Sequence, residues 1–153
     1  MEPKRTVASV VIFVESYRSV LLVKEVDGQR HFTGGEVPHS VKDTKDYEVL
    51  YALALVYHAR NVSKDITTLA HCPVEMLDVI LDYVEESSET RFVYFLVRAS
   101  DTYMDSAPYC YTPKYVDRSG LATLKRLREL NEKGKLSPDV KKVIAELEEK
   151  DLF

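Results

Sequence analysis

The sequence predicts an α/β fold: strands packed against helices, with further helices at the C-terminal end. Three observations predict it. Residues 7–14 and 20–26 are short runs dense in β-branched side chains, the composition of strands. Residues 91–98 are apolar almost without interruption, which marks a central strand covered on both faces. Residues 48–60, 118–132 and 138–150 carry helical signals, from alanine and leucine content in the first and from apolar spacing in the other two.

Taken in order, residues 7–14 form a buried strand, and Glu15 to Ser19 a polar turn. Residues 20–26 form a second strand that ends at the Asp27-Gly28 turn signal, so the two runs pair as an antiparallel hairpin. Residues 30–38 form a short strand broken by Gly34 and Gly35, two adjacent residues free to adopt backbone angles closed to others. Residues 41–47 are a polar loop in which Asp46 is placed to cap the next helix. That helix, residues 48–60, is apolar around most of its circumference and is expected to be buried on more than one face, with Asn61 as a left-handed C-cap. Strands follow near 66–71 and 76–83, then a charged turn at 85–89, the central strand at 91–98 and an irregular stretch at 101–109. The helix at 118–132 shows Leu121, Leu124, Leu127 and Leu130 along one side and ends at Gly134. Ser137 caps the last helix, which has Pro138 at its first position and a stripe of Val140, Val143, Ile144 and Leu147.

At 153 residues the chain reads as one domain, residues 1–153, with a helical C-terminal extension at about 118–150. A net charge of −4 gives no bulk attraction to nucleic acid or to an anionic membrane. Cys72 and Cys110 are too few for a disulfide framework and read as reduced thiols. No targeting segment is visible, and no apolar run approaches the ~20 residues of a membrane span, so the expected location is cytoplasmic. Gln29, Asn61 and Asn131 are the only amide side chains, and the ends are rich in lysine and glutamate, which leans toward a thermophilic source.

The run Phe32-Thr33-Gly34-Gly35-Glu36-Val37, with the hairpin before it and the helix after it, resembles the Nudix hydrolase family. The resemblance implies a Nudix-like α/β/α sandwich with a mixed sheet between helices. In that family, glutamates of the following segment line one helix face and hold Mg²⁺ against a diphosphate, because a hard cation takes carboxylate oxygens. Here that pattern is degenerate. Counting from Gly35, the first glutamate position holds Val41. Aligned with Asn61 at the family's closing glycine, the Arg-Glu positions hold Ala54 and Leu55, and the Glu-Glu positions hold His58 and Ala59. Aligned without an insertion, the helix positions are Val49, Leu50, Ala52, Leu53 and Ala54. Neither register leaves a metal cluster, so no cofactor is expected.

Candidate site residues follow from this pattern. Glu36 and His58 are the candidates for a catalytic group, and Glu36, Asp43, Asp46 and Glu48 for a relocated metal site. Arg30, Lys42 and Lys45, with the backbone at Gly34 and Gly35, could meet a phosphate. Tyr109 and Tyr111, in a cluster with Tyr103 and Tyr115, could stack on a nucleobase or form a protein interface. His31 and His39 flank the glycine pair without zinc-like spacing. Against each stands a plainer role: a satisfied core histidine, solvated loop charges, capping carboxylates, packed tyrosines.

Three functional readings follow. One is a non-catalytic module that binds a nucleotide-like small molecule or a protein. Another is a divergent hydrolase of a nucleoside diphosphate derivative, using Mg²⁺ and carboxylates recruited from Glu36, Asp43, Glu85, Glu86 or Glu89. The last is a structural subunit of a complex, with a homodimer among the forms it could take.

Overall fold

The computed structural model describes residues 2–14, 18–24, 28–62, 74–99 and 121–151. The expectations for 66–71 and 101–109, both cysteines and the cluster of Tyr103, Tyr109, Tyr111 and Tyr115 lie outside these residues.

The chain has an α/β fold, and its described residues form a mixed six-stranded sheet and three helices. Its strands are β1 (Arg5–Val14), β2 (Ser19–Leu21), β5 (Thr33–Glu36), β6 (Val74–Glu85), β7 (Thr90–Ala99) and β8 (Leu121–Thr123). β3 (Val23–Lys24) and β4 (Arg30–His31) form a separate two-stranded sheet. The helices are α1 (Tyr47–Val62), α2 (Leu124–Glu132) and α3 (Pro138–Glu149), and a 3₁₀ turn spans His39–Val41.

The sheet runs β6-β7-β1-β2-β8, with β5 also paired to β1. β1 and β7 are parallel over their whole length, from Arg5 opposite Thr90 to Val14 opposite Ala99. The other pairs of this sheet are antiparallel. The expected hairpin is present, with Phe13 opposite Val20 and Val14 opposite Ser19. The run expected as one strand at 20–26 divides at Leu22: β2 stays in the main sheet and β3 turns to pair with β4. Gly28 then takes the positive φ of 82° that its turn requires.

Alternation along β1 and β7 sorts the core into two layers. Ala8, Val10, Ile12 and Val14, with Val93, Phe95 and Val97, face α1 through Leu50 and Ala54. Val11, Phe13, Tyr94 and Leu96 face Leu127, Leu130, Val140, Val143 and Leu147 of α2 and α3. The strands at 7–14 and 91–98 are apolar on both sides because both sides are covered. Each fully buried leucine or valine here stabilises the fold by about 1.5–3 kcal/mol.

Three local expectations are corrected. α1 buries a single stripe, Leu50, Ala54 and His58, while Val49 and Val56 on its other side are exposed at 38% and 37%. Its apolar circumference therefore did not translate into burial on several faces among the described residues. α1 also continues through Val62, so Asn61 is helical backbone and not a C-cap. The helix expected from residue 118 starts at Leu124, because Leu121–Thr123 is an edge strand paired with β2, and Thr123 caps the helix by accepting from the Arg126 amide.

The end of α2 is as expected. Gly134 has φ 66°, its amide donates to the Asn131 carbonyl at 3.0 Å, and the Lys135 amide donates to Leu130 at 2.9 Å. These two bonds satisfy carbonyls that the helix would otherwise leave open. Ser137 stands at the N-cap of α3 in extended conformation, but its buried hydroxyl makes no capping bond. The Tyr94 hydroxyl donates to the Asp139 carboxylate and ties the sheet to the first turn of α3. Burial, with Asp139 beside it, raises the Tyr94 phenol far above its ordinary value. Among the described residues no helix is long and apolar enough to cross a membrane.

Candidate functional site

The glycine pair sits inside β5 as regular strand, not as a break, with Gly34 opposite Ser9 and Gly35 opposite Ala8. Neither residue has positive φ. The reason for glycine here is close approach. A Cβ on Gly35 would lie 2.9 Å from the Tyr57 ring of α1, and one on Gly34 would lie 2.3 Å from the Ala8 carbonyl oxygen and from Ser9 Oγ. The backbone expected to meet a phosphate is instead covered on its α1 side by a tyrosine ring.

His58 lies in the same contact, 3% exposed, with its Nδ1 hydrogen-bonded to the Thr33 hydroxyl. Thr33 and Gly35 alternate onto the α1 face of β5. Burial pushes the His58 imidazole down from 6.5 to about 4, so it is neutral at physiological pH. A neutral, enclosed imidazole bonded to a threonine is a core polar group in this geometry.

The remaining sequence-derived candidates are dispersed. Glu36 is opposite Val7 and, by alternation, stands on the face of the sheet away from α1. Asp43 pairs with Lys42 at 2.9 Å. Asp46 caps α1 as expected, its Oδ1 accepting from the Glu48 amide at 3.1 Å. Among the described residues no three of histidine, cysteine, aspartate or glutamate gather where they could hold one metal ion. Arg30 and Lys42 are also apart. The Arg30 amide donates to the Lys135 carbonyl at 2.7 Å beside the α2–α3 connection, whereas Lys42 Nζ donates to the Pro3 carbonyl at 3.0 Å near the start of β1. The strand β5 separates them, so they do not form one phosphate site with the glycines.

A different cluster is assembled at the start of α1. Arg91 Nε and Nη2 grip the Asp82 carboxylate at 2.9 and 2.8 Å, a bidentate pair set diagonally across β6 and β7. The Tyr47 hydroxyl donates to the same carboxylate at 2.7 Å. Arg91 Nη1 donates to the Thr44 carbonyl at 2.7 Å, while Thr6 Oγ1 donates to the Lys42 carbonyl at 2.6 Å. The bond from Arg91, followed by that from Tyr47, holds the Asp82 carboxyl below the usual carboxylate range in spite of its partial burial. Pro3, Asp43, Lys45, Tyr47, Asp82 and Arg91 line an open cavity of about 430 Å³ above this network.

Arg91 thus clamps the 42–46 loop to the sheet. Its replacement by methionine keeps the apolar stem but leaves the Thr44 carbonyl without this donor and Asp82 with the Tyr47 hydroxyl alone. Arg91→Met is expected to destabilise the fold by about 2 kcal/mol, below the range for a fully buried pair because Asp82 is partly exposed. The double variant Arg91→Met with Asp82→Leu should recover part of that loss in urea denaturation. An Arg91→Met midpoint equal to that of the parent would mean that the clamp carries no stability.

From sequence, Lys42 and Lys45 are phosphate candidates and Asp43 a metal-site candidate, while Asp82, Arg91 and Tyr47 are not among the candidates. The available signal was a charged residue at the head of an otherwise apolar strand, with an aspartate in the apolar run before it. No family model matches the chain, and no curated protein matches it.

Proposed function

We propose that the chain is a module on a Nudix-like frame that acts by binding, without the family's metal-assisted hydrolysis, its ligand being a nucleotide-like small molecule or a protein. One observation carries this reading. The stripe of α1 that meets the sheet is Leu50, Ala54 and His58, and it is packed shut against β1 and β5. Holding Mg²⁺ on a diphosphate takes several carboxylate oxygens on one face, and this face offers none. The mixed sheet between helices, and a Gly-Gly strand paired to β1 immediately before α1, support the frame. The Tyr57 ring over Gly35 supports the loss of a phosphate cradle there.

Calorimetric titration of Mg²⁺ and Mn²⁺ into the full chain, alone and with ADP-ribose, tests the reading. The expected result is no stoichiometric metal binding, no cleavage of ADP-ribose, and any ADP-ribose binding equal with and without metal. Metal-dependent cleavage, or a stoichiometric metal site abolished by Glu36→Gln or Asp43→Asn, would overturn it in favour of the divergent hydrolase.

A further inference from the structure

We infer that the cavity over the Asp82–Arg91–Tyr47 network is a binding site for a small, neutral, polyhydroxylated ligand of the sugar class. The inference is independent of the Nudix-like reading, since it uses a different part of the molecule.

The volume of about 430 Å³ lies within the range of small-molecule sites and accommodates one or two sugar rings. The lining is fixed in advance. Arg91 is held by Asp82 and the Thr44 carbonyl, Tyr47 is held by Asp82 and packs edge-on against Phe95, and Asp43 is held by Lys42. Pre-organised polar groups lose little entropy when a ligand arrives.

Counting the hydrogen-bonding capacity left over gives the ligand's character. Asp43 Oδ1, the second lone pair of Asp82 Oδ1 and the Tyr47 oxygen remain as acceptors, since the bonds within the network use Asp43 Oδ2, one site on Asp82 Oδ1 and the Tyr47 proton. The donors left are the Lys45 ammonium and one Arg91 Nη2 proton. Two cations and two carboxylates line the cavity, so the lining itself carries no net charge. Lys45 is the only one of the four without an ion pair among the described residues. The Lys45 ammonium can donate to a hydroxyl, and the Asp43 and Asp82 carboxylates that share the cavity disfavour an anion there. A hydroxyl both donates and accepts, so vicinal hydroxyls satisfy such an interleaved wall where an ion of either sign would not. The half-exposed Tyr47 ring and Pro3 supply the apolar surface on which the C–H face of a sugar ring packs.

The test is amide NMR titration of the full chain with D-glucose, D-ribose and inorganic phosphate. Saturable shifts at Asp43, Lys45, Tyr47 and Arg91 are expected with at least one sugar, at a Kd of roughly 1–10 mM, and none are expected there with phosphate. Lys45→Ala, a change at an exposed loop position, should weaken sugar binding about threefold or more. Three results would overturn the inference: no saturable shift with either sugar, shifts that map elsewhere, or phosphate binding at Lys45. Hydrolysis of ADP-ribose would overturn the proposed function and leave this inference standing.

Discussion

Gly34→Ala is expected to cost the folded state about 3 kcal/mol or more, the upper end for an overpacked site. The added methyl group would lie 2.3 Å from the Ala8 carbonyl oxygen, 2.3 Å from Ser9 Oγ and 2.7 Å from Ser9 Cα. Two of these are backbone atoms of β1, which is held on its other side by the full-length parallel pairing with β7. They cannot move without opening the β1–β5 pair. Gly35→Ala meets a side chain instead, the Tyr57 ring at 2.9 Å, which can swing. Its cost should be smaller, about 1–2 kcal/mol, and Tyr57→Ala in the same chain should show favourable coupling with it. Gly28→Ala provides the contrast: nothing lies within 4 Å, but φ is 82°, so its cost of about 1 kcal/mol is conformational. Urea denaturation of the three variants gives the order. If Gly34→Ala lies within about 0.5 kcal/mol of the parent, the strand pair is looser than described and has room for a ligand at the glycines.

That ordering separates what was legible in the sequence from what was not. Residues 7–14 announced a buried strand, 91–98 a strand covered on both faces, and Val140, Val143 and Leu147 the face of α3, because burial follows local periodicity. The glycine pair was equally visible, but its meaning was not. Free backbone angles and close approach both select glycine, and only the position of Tyr57 on a separate helix decides between them. Leu121 to Thr123 failed for a related reason. Their leucine-rich spacing continues the helical pattern of α2, and only pairing with β2, about a hundred residues earlier in the chain, makes them a strand. The Asp82–Arg91–Tyr47 network joins β6, β7 and α1, so no local window contains it. The candidate ligand set of Arg30, Gly34, Gly35 and Lys42 was near in sequence but is spread along the length of β5 in space.

Stability is expected to fall by about 3 kcal/mol as pH drops from near 6.5 to about 4, through His58 alone. The imidazole titrates near 6.5 when unfolded and near 4 when folded, because burial disfavours its charged form. Between these values the unfolded chain binds the extra proton, so lowering pH favours unfolding; above 6.5 the contribution is fully present. Asp82 acts in a different window. Its folded value is depressed below 3.8, so its contribution is present above that value and is lost only as pH falls further. Urea denaturation of the parent chain and of His58→Gln at several pH values, from about one unit above the unfolded value down to the folded one, isolates the histidine contribution. The variant keeps a polar group for the Thr33 hydroxyl but cannot titrate, so its slope over this interval should be flatter by the His58 contribution. NMR titration of the imidazole supplies the decisive reading for function. A value near 6.5 in the folded protein would place His58 in contact with water and restore it as a candidate base. A value near 4 leaves it as the polar group that fixes α1 to β5, and with it the closed face on which the binding-module reading depends.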